Sequence, residues 1–323
     1  MMNCIDCGVP ILIEESGTLT IMQEQTTSSV SHKKKYQYNS FSELSILLEN
    51  EKEGTFVKTT EMPSYVDKQT FHELLINQDL IKVMREGSFK TFFQPIIDLQ
   101  SETNSIYAYE CLLRPIKEDK FLPPYQLFEF ARTANLHNFL DQKARENSIV
   151  SSSKKLGNGV KIFINFLPSS IYNPEFCLRH TFQIVKKHNV SPEDLVFEVV
   201  ESEKIQDLDH LQNIFKTYKN SGMKVALDDV GAGYSTLEVL EALQPDYVKI
   251  DRDYISYCDE VVDKQVFLQN VMNISRKLGV KVLAEGIERK EELEFCRKLG
   301  VHFAQGYYIG KPSEEPLKEE DLM

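Results

Sequence analysis

The chain has no apolar run of the ~18 residues that a membrane-spanning helix needs. Its opening residues, MMNCIDCGVPILIEE, have neither a basic start nor an apolar stretch long enough for a secretion signal. A membrane-spanning protein is excluded on that pattern, and the cytoplasm is the expected compartment. A disulfide framework is missing too: the 6 cysteines stand at 4, 7, 111, 177, 258 and 296, and only the first two are close in sequence. Cys4 and Cys7 form a CxxC, half of a zinc knuckle, but no second CxxC or paired histidine follows at the usual spacing. The pair is therefore read as two unpaired thiols rather than a zinc site. Positive charge is also short. With 37 basic residues against 49 acidic ones the net charge is -12, which argues against an electrostatic grip on a nucleic-acid polymer. Any polyanionic ligand would need cations brought from elsewhere.

What is present is ample material for a core: 323 residues, 41% of them hydrophobic and 27% charged, enough for one large domain or two ordinary ones. Residues 1–79 read as a variable N-terminal segment of regulatory character, with short strands and one helix near Phe41 to Asn50. The polar tract at 23–35, which includes Lys33, Lys34 and Lys35, reads as solvated linker. From residue 80 to 323 short apolar runs alternate with segments whose apolar residues recur at three and four. The runs are KTFFQPIID (90–98), SIYAYECLL (105–113), KIFINF (161–166), LVFEVV (195–200), KVALDD (224–229), DYVKID (246–251), KVLAEGI (281–287) and HFAQG (302–306). Segments 210–222 and 263–279 are helical in period and end in Ser-Gly and Leu-Gly, a helix stop followed at once by a strand. Repeated strand and helix predicts a parallel sheet covered by helices, and this many strands fit an α/β fold of the TIM-like (β/α)8 barrel type; an open doubly wound sheet is the alternative.

From the second run onward each carries a polar residue toward its C-terminal end: Glu110, Asn165, Glu198, Asp228 with Asp229, Lys249, Glu285 and Gln305. In a barrel these ends converge on one face, the face on which such enzymes build their active sites. A ring of oxygen donors without histidine or cysteine suits hard divalent cations, Mg²⁺, Mn²⁺ or Ca²⁺, and argues against zinc. The adjacent carboxylates of Asp228 and Asp229 repel each other, and in a regular strand they would face opposite ways. A metal cluster relieves both difficulties if the chain turns the two side chains toward one place, and two ions there suit a phosphodiester substrate.

The run Glu110-Cys111-Leu112-Leu113-Arg114, Asn165 in FINF, Glu198-x-x-Glu201, the DDVGAGYS loop, Lys249-x-Asp251, Ala284-Glu285-Gly286 and Gln305-Gly306 together resemble the EAL domain of cyclic di-GMP phosphodiesterases. The resemblance covers about residues 80 to 315 and keeps the family's motif order. It implies hydrolysis of cyclic di-GMP to linear 5'-pGpG with two divalent cations, Mg²⁺ or Mn²⁺, and it leaves open Ca²⁺ as an inhibitory occupant. Glu110, Asn165, Glu198 and Asp228 match the ligands of one ion; Asp228, Asp229 and Glu285 match those of the second. Lys249 falls on the lysine that positions or deprotonates the attacking water, with Glu285 the other group that handles the proton, and Glu201 matches the glutamate that holds the loop after Asp229. Gln94, Leu112, Arg114 and Gln305 match substrate contacts. A homodimer through the barrel is implied as well. The chain departs from the pattern at Cys111, Val230 and Ala232, and none of the matched ligands is missing. No cyclase GGDEF signature occurs in the first 80 residues. The competing readings are a receptor that keeps the pocket without turnover, and an unrelated barrel enzyme acting on another phosphodiester.

Overall fold

The computed structural model describes residues 10–23, 32–101, 103, 105–199, 207–231 and 237–322. They divide into two compact units: the residues up to Phe89 together with Arg114–Leu140, and Lys90–Leu113 together with the residues from Asp141 onward. Among the described residues no helix is long and apolar enough to cross a membrane.

In the first unit β1 (Gly17–Gln23) is antiparallel to β2 (His32–Tyr38) and to β3 (Thr55–Lys58), and β3 to β4 (Val66–Asp67), in the order β2-β1-β3-β4. Alternate residues Leu19 and Ile21 of β1 are buried, the period of a strand with one face on a core. The predicted helix is present at Phe41–Glu49, its first turn capped by Ser40, whose side chain accepts the Glu43 amide at 3.1 Å. The linker reading of the tract at 23–35 is corrected in its last residues: Lys33, Lys34 and Lys35 belong to β2 and pair with Met22, Ile21 and Thr20. An edge strand tolerates such a run because its lysines stay exposed and oppose pairing with another chain. Residues 24–31, with Cys4 and Cys7, lie outside the described residues.

The second unit is built on strands that close on themselves. They are β5 (Phe89–Asp98), β6 (Ser105–Lys117), β8 (Lys161–Phe166), β9 (Leu195–Val199), β10 (Lys224–Val230), β11 (Tyr247–Ile250), β12 (Lys281–Ala284) and β13 (Phe303–Gln305); the residues of β6 from Arg114 on, with their hairpin partner β7 (Lys120–Phe121), are counted with the first unit. The order is β5-β13-β12-β11-β10-β9-β8-β6, and β6 pairs back with β5. This is a TIM-like (β/α)8 barrel. One strand departs from the all-parallel expectation: β5 runs antiparallel to β13, with Phe303 opposite Asp98 and Gln305 opposite Ile96. The cause is connection length, since residues 99–104 are too few for the crossover that joins parallel neighbours. Helices Leu208–Asn220 and Val262–Leu278 occupy the predicted segments. The Asp207 side chain caps the first by accepting the His210 amide at 2.8 Å, and Gly279, at φ 71°, ends the second in the left-handed conformation that favours glycine.

Along every barrel strand one residue faces inward in a buried apolar layer: Ile96, Ala108, Phe163, Val196, Ala226, Tyr247, Leu283 and Phe303. Their alternate neighbours, such as Ile162, Phe197, Val225, Val248 and Val282, belong to a separate, larger core cluster that includes residues of the surrounding helices. The rings of Tyr107 and Phe303 stack at 4.0 Å, and the hydroxyls of Tyr107 and Tyr247 are 2.6 Å apart, so the one polar group that Tyr247 carries into the layer is partnered.

Next to this layer, His302 accepts the Val282 amide on Nδ1 at 3.0 Å, which requires a neutral ring. Partial burial, then the cations of Lys281 and Arg276, hold its pKa below the ordinary histidine value of 6.5. A base whose folded pKa is depressed stabilises the fold above its unfolded pKa and loses that contribution as pH falls below it. We expect the melting temperature to decline as pH drops through 6.5 and below, and His302→Asn, which has no charged form, to show a shallower decline over the same range. Parallel pH profiles for the two proteins would remove His302 from the account.

Candidate active site

The site follows from the inner layer by strand geometry. Inward-facing residues recur every second position, so the residue two beyond each apolar one faces the same interior, nearer the C-terminal ends of the parallel strands. These are Glu110 after Ala108, Asn165 after Phe163, Glu198 after Val196, Asp228 after Ala226, Lys249 after Tyr247, Glu285 after Leu283 and Gln305 after Phe303. On antiparallel β5 the same level is reached by stepping two residues back from Ile96, to Gln94. An apolar floor thus lies under a polar ring.

Lys249 is the centre of that ring. Its side chain is 1% exposed, and Nζ lies 2.9 Å from Glu198 Oε2, 2.9 Å from Glu285 Oε1, 3.1 Å from Asp228 Oδ1 and 3.9 Å from Glu110 Oε1. Glu110 is held further by Asn165 Nδ2, which donates to Oε1 at 3.0 Å, and Gln305 Nε2, which donates to Oε2 at 2.7 Å. Burial alone would push the Lys249 ammonium down, but the carboxylates of Asp228, Glu110, Glu198 and Glu285 outweigh it and hold its pKa well above the ordinary lysine value. Glu110 titrates low: burial opposes its charge, but Lys249 and the two amide donors prevail. Glu198 and Glu285 move the other way. Burial pushes both carboxyls well above their usual range, and repulsion from Glu110 and Asp228 adds to it against the pull of Lys249.

Asp228 and Asp229 reach the site together because β10 bulges there. Leu227 stands opposite Val248, but Val230 stands opposite Ile250, so β10 has one residue more than β11 over this span. Asp229 takes up the extra length at φ 51°, and its amide donates to Asp228 Oδ1 at 2.9 Å. The bulge cancels the alternation that would send the two carboxylates to opposite faces. As a result Asp228, Asp229 and Glu285 each present an oxygen within 4.8 Å of the others. Glu285 itself lies just past β12, fixed by its amide, which donates to Ile250 O at 3.1 Å.

The donor set fits hard divalent cations on the evidence of the site itself. Four acidic side chains, those of Glu110, Glu198, Asp228 and Glu285, surround one ammonium, Asp229 adds a fifth beside Asp228 and Glu285, and Glu198 Oε1 is buried with no hydrogen-bond partner. Oxygen donors in such excess of charge are what Mg²⁺, Mn²⁺ or Ca²⁺ bind. Glu110, Glu198, Asp228 and Glu285 gather about Lys249, with Asn165 joined to them through Glu110, and Asp228 and Glu285 also form the tight carboxylate cluster with Asp229.

Of the expected substrate contacts, Gln94 is buried in the ring level, with Nε2 3.4 Å from Gly310 O. Leu112 follows Glu110 by two on β6 and is half-buried. Arg114, also half-buried, opens the segment that belongs to the first unit. Glu201 and Ala232 lie outside the described residues. Val230 is buried and pairs with Ile250.

The EAL domain family profile matches residues 77–312. The chain belongs to the EAL domain family. It is 30% identical over 242 residues to the probable cyclic di-GMP phosphodiesterase PdeG of Escherichia coli K12, a match over 72% of this chain and 46% of that protein. Among solved structures it resembles a standalone EAL protein from Vibrio cholerae O395 in its c-di-GMP-bound form, with 32% identity and a TM-score of 0.64 over 71% of this chain and 94% of that one. It also resembles Klebsiella pneumoniae BlrP1, solved with cyclic di-GMP and calcium or manganese, at 26% identity and a TM-score of 0.64 over 70% of this chain and 56% of that one. The chain spans less than half the length of the first curated relatives it matches.

Proposed function

We propose that this EAL domain hydrolyses cyclic di-GMP to linear 5'-pGpG with the help of two divalent cations, Mg²⁺ or Mn²⁺. The observation that carries the reading is the bulge at Asp228–Asp229, which sets two adjacent carboxylates beside Glu285 and above a sealed floor. Glu110, Asn165, Glu198 and Asp228 would hold one ion and Asp228, Asp229 and Glu285 the other. When bound, such ions neutralise the phosphodiester and acidify a water. The chain's own residues do the rest. Lys249, with Nζ 2.9 Å from Glu198 and Glu285 and 3.1 Å from Asp228, is placed to position the attacking oxygen or to take its proton. Glu285, whose side chain is 17% exposed against 0% for Glu198, is the carboxylate placed to take the proton. Gln94, Leu112, Arg114 and Gln305 are assigned to the dinucleotide, with Arg114 suited to a phosphate oxygen by its fork of donors, and Glu201 to the loop after Asp229.

A homodimer through the barrel belongs to the same proposal, because Val262 and Val266 at the start of helix Val262–Leu278 are exposed, an apolar surface that a second copy would cover. A monomer in sedimentation at assay concentrations would remove that part. The four described cysteines are free thiols, which suits a reducing, cytoplasmic setting.

The test is incubation of the purified protein with cyclic di-GMP and Mg²⁺ or Mn²⁺, with linear pGpG followed by chromatography. Turnover that Glu110→Ala and Asp228→Ala each abolish is the expected result. Tight binding of cyclic di-GMP with no product under either ion would overturn the catalytic reading and make the domain a receptor.

A further inference from the structure

A charged pair with no contact to the polar ring stands beneath the turn that follows Asn165. Asp141 and Arg145 are one turn apart on helix His137–Lys155, ion-paired with each other, and both side chains are only 3% exposed. Surface pairs at this spacing are common, but burying one is seldom a gain in stability, since apolar residues of similar volume serve as well or better. The pair therefore calls for another explanation, and its remaining bonds supply one. Asp141 Oδ1 accepts the backbone amide of Leu167 at 2.9 Å, and Oδ2 accepts the hydroxyl of Ser170 at 2.5 Å. Leu167 is the first residue past β8, where the ladder to β9 ends at Phe166, so its part-buried amide has no partner in that ladder. One carboxylate thus holds both ends of the Leu167–Ser170 turn, and its buried ion pair with Arg145 fixes it in place.

We propose that Asp141 is a positioning residue for Asn165, fixing the end of β8 so that the Asn165 amide is presented to the site at the correct depth. This rests on the reading that Asn165 belongs to the metal-binding set. Asn165 Nδ2 is engaged by Glu110, which directs the amide oxygen to the role of ligand atom, and a shift of the strand end by a few tenths of an ångström would misplace it. The arrangement is an outer support: Asp141 touches neither substrate nor ion.

The test reads Mn²⁺ affinity by titration calorimetry, without substrate, on the full chain. Asp141→Asn alone would leave a buried guanidinium without its counter-charge, so the informative variant is Asp141→Leu with Arg145→Met, which removes both charges together. The expected result is a cooperative melt close to that of the unaltered protein and Mn²⁺ binding weaker by about 10–100-fold, the usual cost of losing an outer-shell partner. Asn165→Ala is the reference and should weaken Mn²⁺ binding at least as much. If Asn165→Ala weakens binding and the folded double variant does not, the positioning role is overturned. If Asn165→Ala itself leaves Mn²⁺ affinity unchanged, it is the assignment of Asn165 to the metal set that fails. Should the double variant not fold, Ser170→Ala decides, because it cuts one arm of the clamp and leaves the Asp141–Arg145 pair intact. A weaker Mn²⁺ affinity is then expected, and an unchanged one overturns the proposal.

Discussion

Lys249→Met is expected to leave a protein whose stability depends on divalent cations and whose turnover is lost even when they are supplied. The substitution keeps most of the side-chain volume in a position that is 1% exposed, so packing changes little. Electrostatics change greatly. Glu198, fully buried, loses the cation 2.9 Å from its Oε2, and Glu285 and Asp228 lose theirs at 2.9 and 3.1 Å. Removing one partner of a buried pair ordinarily costs about 3–5 kcal/mol, and Glu110, at 3.9 Å, shares this partner with the other three. Without metal the variant should melt well below the unaltered protein. Mn²⁺ should recover much of the difference, because cations bound to the folded form alone stabilise it by mass action and offset the same charges. Turnover should not recover. If Lys249 positions the attacking oxygen or takes its proton, its loss lowers kcat by about 10²–10⁴-fold, the range for a positioned proton-handling group. Melting curves with and without Mn²⁺, and kcat at saturating Mn²⁺, separate the two effects. Turnover within about tenfold of the unaltered protein, under 1.4 kcal/mol of barrier, would reduce Lys249 to a structural counter-ion.

The contrast between what was legible in the sequence and what was not has a physical origin. The polar ring was legible because strand side chains alternate. Once the runs ending in Glu110, Asn165, Glu198, Lys249 and Gln305 are recognised as barrel strands, position along the strand fixes both face and depth. The closed barrel followed from the same repeat. The reversed direction of β5 was open to reading from the short link at 99–104, but the strand-and-helix rhythm elsewhere pointed to a wholly parallel sheet. The bulge could be suspected only from its paradox, two adjacent aspartates required on one face. No residue type in ALDDVG announces a left-handed aspartate, because Asp229 at φ 51° is permitted by its short polar side chain and held by pairing on both sides of the bulge. Asp141 was not legible at all. An Asp and an Arg four apart on a helix look like a solvated surface pair, and only the tertiary fold reveals that they are buried against the turn after β8. The strand at Lys33–Lys35 was missed for a related reason: an edge strand needs no apolar pattern on its open side.

Gly306→Ala is expected to damage the fold and the site together. An added Cβ at this position would stand 2.1 Å from Ile287 O and 2.2 Å from Ile287 N, and backbone cannot turn aside as a side chain can. The two segments are also bonded across the contact: Ile287 N donates to Gln305 O at 3.0 Å, and Tyr308 N donates to Ile287 O at 3.0 Å. Making room for one methyl group therefore means parting this crossing. Overpacking a dense interior typically costs about 1–3 kcal/mol, and a clash with backbone belongs at the upper end or above it. The crossing ties two members of the polar ring, since Gln305 immediately precedes Gly306 and Glu285 lies two residues before Ile287. Any shift that relieves the clash draws Gln305 Nε2 away from Glu110 Oε2, now at 2.7 Å, or moves Glu285 from Lys249. The variant should unfold at lower denaturant, and the fraction that remains folded should turn over cyclic di-GMP more slowly than the unaltered protein. Gly157→Ala is the matched control, because an added Cβ there meets nothing within 4 Å. If Gly306→Ala proved as stable as Gly157→Ala, the close crossing of Ile287 and Gly306 could not be what fixes the two strand ends, and the coupling of Gln305 to Glu285 would have to lie elsewhere in the barrel.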